Sequence, residues 1–391
     1  MKVELIATTA FGLEAVTRRE IEALGFKITN REDGRLTYIG NEAAIAKSNL
    51  WLRTADRVLI KMGEFNVSSF EDLFQGMKGI PWETLIPEDG NFVVNANSVR
   101  SKLSSVPACQ SVAEKALIER LSMTYGKQRF SKTGASFNVK IRLLKDICTV
   151  TCDTSGAGLH KRGYRKANIE APIKETLAAA LVSLSFWKPG RIMADPFCGS
   201  GTIAIEAALI GQNIAPGLSR SFASESWAFI GAEVWKRERA EAYKAMNTSS
   251  CVQIYASDIS KKAIDAAKEN AEKAGVTEYI DFSVLPFSEF SEKAPELMTL
   301  MEPKDPEKKS FGGVIVCNPP YGERIGEKEQ LERIYREIKI FFKENPTWSL
   351  FLITNNKEFE QQAFGRPADR RRKLYNGRIE TTFYQYHGAK I

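Results

Sequence analysis

Arg191-Ile-Met-Ala-Asp-Pro-Phe-Cys-Gly-Ser-Gly-Thr202 is the stretch around which the 391-residue chain is organised. It reads as a buried strand over 191–194, ended by the acid Asp195, then a glycine turn, then a helix from Thr202 to about 210. Gly199 and Gly201 let the backbone pass close to a ligand with no Cβ in the way. Such a ligand sits at the carboxyl end of a strand and at a helix N-terminus, the usual crevice of a doubly wound sheet. Glycine turns also serve packing alone, so two later stretches carry the decision.

The first is Gln253-Ile-Tyr-Ala-Ser-Asp258, an apolar strand ending in an acid and followed by a helix over 261–274. An acid at the end of the second strand can accept both hydroxyls of a ribose. Asp258 and Ser260 also suit a helix start, and that reading stays open beside the first. The second is Gly313-Val-Ile-Val-Cys-Asn-Pro-Pro-Tyr-Gly322, a buried strand running into Asn318-Pro-Pro-Tyr321. Two prolines fix a turn and remove donors. Three successive strand ends, each carrying a polar group, point to one shared site.

Together these motifs resemble the class I S-adenosylmethionine-dependent methyltransferases that modify exocyclic amino groups. The chain as a whole is most similar to the THUMP-domain RNA guanine-N2 methyltransferases, the group that includes the bacterial large-subunit rRNA enzyme. The resemblance implies an α/β fold: a Rossmann-like class I methyltransferase sheet with a C-terminal antiparallel hairpin, preceded by a ferredoxin-like plus THUMP α+β region. It implies a ferredoxin-like domain over 1–67, a THUMP RNA-binding domain over 68–156, a basic linker over 157–170 and the methyltransferase domain over 171–391. S-adenosylmethionine is the implied cofactor and S-adenosylhomocysteine its product. The implied partner is RNA, foremost 23S rRNA or a ribosome assembly intermediate.

Bulk properties agree. Hydrophobic residues make up 43% of the chain and the formal net charge is +7, a modest basic bias compatible with nucleic acid. Lys161-Arg-Gly-Tyr-Arg-Lys166 and Arg370-Arg-Arg-Lys373 are the local basic runs, each with a nearby tyrosine, Tyr164 or Tyr375; a solvated face accounts for them as well. Six cysteines without paired spacing and only two histidines argue against a structural zinc site and for a reducing compartment. The N-terminal Met-Lys-Val-Glu-Leu lacks the apolar run of a signal peptide, and no segment approaches a membrane span. A cytoplasmic protein without membrane or metal partners is expected.

Residues 1–67 read strand, helix, strand, strand, helix, strand, the ferredoxin-like order. Residues 68–155 read as short helices, a strand over 91–96, a polar loop over 97–102, a long helix over 107–125 and two strands. In that loop Ser98, Arg100, Ser101 and Lys102 either contact phosphates or form an ordinary turn. A helix begins near 171, with Pro172 in its first turn. The resemblance sets that helix beside the methyl-donor pocket, where Glu175 and Thr176 either line it or sit on a plain surface. The catalytic part continues as alternating strands and helices and ends in a hairpin turning at Asn376-Gly377. An insertion over 211–250 carries Trp227, Phe229 and Trp235, which read as a small local core rather than a base-stacking platform.

Methyl transfer from a sulfonium is a direct displacement, so the nucleophile must lie in line at near-attack distance. An aromatic amine is a weak nucleophile because its lone pair is delocalised. The Asn318 side chain and the Pro319 carbonyl are acceptors that can hold the amine hydrogens and aim the lone pair. Pro320 stiffens the turn, and Tyr321 can stack on the base. The expected catalytic set is therefore Asn318, Pro319, Pro320 and Tyr321. The expected cofactor set is Asp195, Pro196, Phe197, Gly199, Gly201, Thr202, Asp258, Ile259 and Phe287. Phe287 enters because the segment after the third strand, 284–288, lacks an acid to bind the adenine amino group. The expected RNA contacts are Arg100, Lys102, Lys161, Arg162, Arg165, Lys166, Arg371 and Arg372. Cys198 and Cys317 read as small buried residues, not nucleophiles. Other acceptors fit the same corner: tRNA guanine N2, adenine N6, cytosine N4 or a glutamine amide. An inactive RNA-binding assembly factor is the non-enzyme alternative.

Overall fold

The computed structural model describes residues 2–165, 173–299, 312–321 and 327–389. Of the residues singled out above, Lys166, Pro172 and Gly322 lie outside the described residues. The chain forms two compact units. The first contains Met1–Thr9, Thr17–Leu159 and Arg220–Glu241; the second contains Ala10–Val16, His160–Ser219 and Ala242–Ile391.

In the first unit β1 (Val3–Thr9), β2 (Ile28–Glu32), β3 (Arg35–Gly40), β4 (Ala55–Asn66), β5 (Asn91–Val99), β6 (Ser136–Leu144) and β7 (Ile147–Asp153) form one seven-stranded sheet, ordered β2-β3-β1-β4-β7-β6-β5. The sequence divides this region at 67/68, yet the sheet runs through both parts. The reason is β4, 12 residues long, which pairs antiparallel with β1 through Ala55–Ile60 and with β7 through Leu59–Asn66. Helices α1 (Glu14–Ala23), α2 (Glu42–Trp51), α3 (Phe70–Lys78) and α4 (Val106–Tyr125) accompany it. Asn41 caps α2 by accepting from the Ala44 N–H at 3.0 Å, and Gly126 ends α4 in the left-handed conformation at φ 66°. The polar loop expected over 97–102 starts later. Asn97 and Ser98 continue β5 by pairing with Arg142 and Leu143 of β6.

The insertion, with α7 (Ala232–Lys244), supplies Arg220–Glu241 to this unit. Trp227 is buried and stacks on Phe137 of β6 at 4.8 Å, and its indole N–H donates to the Ser136 carbonyl at 3.0 Å. Trp235 stacks on Phe222 at 5.2 Å. Trp227 and Trp235 are thus core, and part of that core belongs to β6, while Phe229 is half-buried.

In the second unit β8 (Met193–Asp195), β9 (Ile254–Asp258), β10 (Ile280–Val284), β11 (Val314–Cys317), β12 (Ser349–Thr354), β13 (Arg370–Asn376) and β14 (Ile379–Tyr386) are ordered β10-β9-β8-β11-β12-β14-β13. The first five in that order are parallel, and the terminal hairpin pairs antiparallel with β12. Both faces are apolar because alternate residues serve two cores. Met193, Val314, Val316 and Phe351 face one core with α5 (Glu175–Leu184), α6 (Thr202–Gly211) and α8 (Lys261–Ala274). Ala194, Ile315, Cys317 and Leu350 face the other with α9 (Phe287–Thr299) and α10 (Glu327–Glu344). Between β12 and β13 the chain makes a π-helical turn, Glu360–Phe364, closed by Gly365.

Candidate active site

The parallel pairing sets the carboxyl ends of β9, β8 and β11 side by side, roughly one strand spacing of about 4.8 Å apart. Asp258 ends β9, Asp195 ends β8, and Asn318 follows directly on β11. Strand direction alone therefore brings the three motif residues to one edge of the sheet.

The turn after β8 is bound to that edge. The Gly199 N–H donates to Asp258 Oδ2 at 3.0 Å, and the Cys198 N–H to the Ser257 carbonyl at 3.0 Å. Gly199 and Gly201 have φ of +52° and +80°, the left-handed region that favours glycine. The two differ in surroundings. A Cβ on Gly199 meets nothing within 4 Å among the described residues, whereas one on Gly201 lies 3.0 Å from the Ala267 Cβ of α8. Gly199 therefore leaves room at the site, and Gly201 lets α8 approach. Asp258 Oδ1 accepts from the Ser260 N–H at 2.9 Å, while Ser260 is the residue that caps α8. Two bonds leave the Asp258 carboxylate with further acceptor capacity.

Asp195 is buried, and burial drives its carboxyl well above the usual carboxylate range; the Phe197 N–H opposes this and the Asp258 charge adds to it. Burial likewise pushes the Cys198 and Cys317 thiols well up, with Asp195 contributing to both. A buried thiol pushed up in this way is a weak nucleophile near neutral pH.

At the end of β11, Asn318 Oδ1 is buried and has no hydrogen-bond donor among the described residues. Pro319 is buried and Pro320 exposed. Tyr321 is half-buried, and its hydroxyl accepts from the Asn376 side-chain amide at 3.2 Å. Asn376 ends β13, so the hairpin turn braces the corner, a contact with no signal in the sequence.

The remaining expected residues divide. Pro196 and Thr202 are buried, Phe197 is half-buried, and Ile259 is 62% exposed. Phe287 is corrected: it is buried at 3%, parallel to Phe197 at 5.6 Å and packed on Phe290 and Phe341, so its ring belongs to the core. The ring beside it that meets solvent is Phe197.

Arg162 is also corrected as an RNA contact. It is 3% exposed and pairs with the fully buried Glu206, which also accepts from the Tyr164 hydroxyl at 3.0 Å. Arg165 is turned inward, donating to the Ile173 carbonyl at 2.8 Å and to Thr202 Oγ1 at 2.9 Å. Glu175 and Thr176, the residues left between pocket and surface, are both buried.

Lys161, Arg100 and Lys102 are exposed, Arg371 is exposed and paired with Glu360 at 2.9 Å, and Arg372 is half-buried. The loop hydroxyls near Arg100 serve the loop itself: Ser98 donates to the Leu103 carbonyl and Ser101 to the Val99 carbonyl. Among the described residues no helix is long and apolar enough to cross a membrane, and no cluster of His, Cys, Asp and Glu could hold a metal ion.

Comparison with known proteins adds the family. Residues 162–385 match the family described as RMKL-like, methyltransferase domain; residues 4–59 match the RlmL ferredoxin-like domain and residues 67–153 the THUMP domain. The chain is 47% identical to the Bacillus subtilis (strain 168) protein named "Putative RNA methyltransferase YpsC", covering 98% of this chain and 96% of that one. It is 33% identical to the "Ribosomal RNA large subunit methyltransferase K/L" of Psychromonas ingrahamii, covering 97% of this chain but 49% of the relative, so it spans about half of that protein. A crystal structure titled as SMU.472, a putative methyltransferase complexed with SAH, superposes with a TM-score of 0.89 at 39% identity, covering 100% of this chain and 99% of that one. The parallel sheet, the glycine turn tied to Asp258 and the matched domains agree: the chain belongs to the RMKL-like family of S-adenosylmethionine-dependent methyltransferases, with an RlmL ferredoxin-like domain and a THUMP domain ahead of the catalytic one.

Proposed function

We propose that this methyltransferase acts on RNA and methylates the exocyclic N2 amine of a guanine, foremost in 23S rRNA. The observation that carries the reading is Asn318 Oδ1, a buried acceptor at the carboxyl end of β11 without a donor among the described residues. A buried acceptor left bare costs about 1–3 kcal/mol, and an amine hydrogen removes that cost. RNA as the substrate class is supported by the THUMP match and by the names of the B. subtilis and P. ingrahamii relatives.

The residues fit the methyl donor. Asp258 retains acceptor capacity for ribose hydroxyls, Gly199 leaves the turn open, and Phe197 offers a half-exposed ring. S-adenosylmethionine bound there supplies an electrophilic methyl group on sulfur. Asn318 and the Pro319 carbonyl hold the amine hydrogens, and Tyr321 stacks on the base. The new nitrogen–carbon bond forms as the methyl–sulfur bond breaks to leave the neutral thioether, and because Asn318 is neutral the extra amine proton is then lost to solvent. The guanine amine lies in the minor groove of a duplex, so the base is flipped or taken from a melted strand, at a few kcal/mol. Exposed Arg100, Lys102 and Lys161 contact phosphates and offset that cost.

Mass mapping of nucleosides from rRNA and tRNA of a deletion strain tests this. One N2-methylguanosine missing from large-subunit rRNA is the expected result. Loss from tRNA would replace the rRNA assignment, and loss of methyladenosine or methylcytosine would replace guanine. Unchanged RNA from both pools would overturn the reading.

A further inference from the structure

The β13–β14 hairpin runs past the strand on which it is built. β12 and β14 pair as far as Thr354 and Thr382; three further pairs, Leu374 with Thr381, Tyr375 with Glu380 and Asn376 with Ile379, carry the ribbon onward. At about 3.4 Å per residue the overhang is roughly 10 Å. β14 is antiparallel to β12, and β12 is parallel to β11, so the overhang projects from the sheet edge that bears Asn318. Its last pair holds Asn376, the residue that donates to Tyr321.

A two-stranded ribbon is marginal by itself. Here the turn ahead of α1 supports it. Leu13, Val16 and Leu374 share one core, and a Cβ on Gly12 would lie 2.7 Å from the Lys373 carbonyl, so the turn is seated directly on β13. That seating leaves Phe11 outside the core. It is 50% exposed, and its ring meets the half-buried Tyr375 edge to face at 6.0 Å. A single exposed apolar side chain is ordinary. An aromatic pair on a braced overhang beside the reacting corner is a different feature. Its charge also has a sign. The acid at the tip, Glu380, is paired with Lys373 at 2.6 Å and also feels Lys357. Arg378, exposed and in no ion pair among the described residues, is the surplus cation.

We propose that Phe11 and the hairpin overhang form a subsite for a nucleotide flanking the target in the RNA strand. Phe11 stacks on its base with Tyr375 behind it, and Arg378 takes a phosphate. Taking the target base out of its stack leaves a neighbouring base with one bare face, and a held ring beside the reacting corner replaces the lost stacking. The proposal rests on RNA as the substrate and deepens that reading by naming where the strand next to the target is gripped.

The test is steady-state methylation, with tritiated S-adenosylmethionine, of total RNA purified from a deletion strain. Phe11→Ala is expected to raise KM for RNA by about 5-fold or more, with the change falling on KM rather than kcat. Phe11→Trp keeps a ring and is expected to restore most of that loss. Arg378→Ala is expected to flatten the plot of log KM against log salt by about 0.7, the share of one phosphate on a single strand. An unchanged KM for Phe11→Ala overturns the proposal, as does an equal rise for Phe11→Ala and Phe11→Trp, which would show that the position serves folding. A wild type that methylates none of this RNA would instead remove the RNA reading itself.

Discussion

The side-chain amide of Asn376 donates to the Tyr321 hydroxyl at 3.2 Å, tying the turn of the C-terminal hairpin to the last residue of the Asn-Pro-Pro-Tyr corner. Asn376 sits 55 residues downstream of Tyr321. The hairpin thus braces the acceptor side of the site.

Asn376→Ala removes a brace worth about 1 kcal/mol. The expected result is a loss of roughly fivefold in kcat/KM for RNA, with S-adenosylhomocysteine affinity unchanged. Steady-state methylation with tritiated donor, set beside calorimetry, separates the two. A parallel fall in donor affinity would show that the hairpin acts on the wrong half of the site.

Asn318→Ala is expected to reduce methyl transfer by about 100-fold or more, the scale of losing one preorganised polar contact at a reacting centre. Donor binding stays. The same change deletes a buried acceptor with no partner among the described residues, so the melting temperature of the free enzyme is expected to hold or rise. Single-turnover rates and a thermal melt are the two readouts, and a variant as fast as wild type ends the proposed role.

The two glycines separate room from packing. Both are left-handed, so alanine at either costs about 1 kcal/mol of backbone strain. At Gly201 the new methyl also meets Ala267 at 3.0 Å, so Gly201→Ala is expected to lower the melting temperature further than Gly199→Ala. Gly199→Ala points into open space, and its effect falls on donor affinity. Melting curves of both variants with and without S-adenosylhomocysteine check the ordering.

Asp195 carries a pH prediction. Its carboxyl is raised by burial, so the folded state holds this proton more tightly than the unfolded chain does. The contribution is complete below the unfolded carboxyl's range and is lost as pH rises towards the folded value. Asp195→Asn removes that loss. The free variant is expected to be more stable than wild type near neutral pH, with a flatter stability profile across the acid range. Urea melts at several pH values measure it; a wild-type profile that rises with pH through that window, and is unchanged by the substitution, contradicts it.

The strand-end motifs were legible because their geometry is local. A strand followed by Asp195 and a glycine turn, or by Asn318 and two prolines, fixes which end of the strand the polar group occupies, and parallel pairing does the rest. The basic run at 161–166 was misread in part for the opposite reason. Charged residues are read as exposed, and only a buried partner such as Glu206, 44 residues away, reverses that for Arg162. Phe287 failed similarly, since an aromatic after a strand does not declare whether it meets ligand or core.

The amino-acid order by itself determined the catalytic sheet's strand-to-helix alternation, the edge at which chemistry occurs and the residue types gathered there. Only the folded molecule decided that one sheet spans the front region, that Trp227 of the insertion stacks on Phe137, and that Arg165 turns inward to Thr202 beside Glu175. Periodicity and turn chemistry act over a few residues and leave a local trace. Contacts between residues tens of positions apart are chosen by shape and desolvation, which no local pattern records.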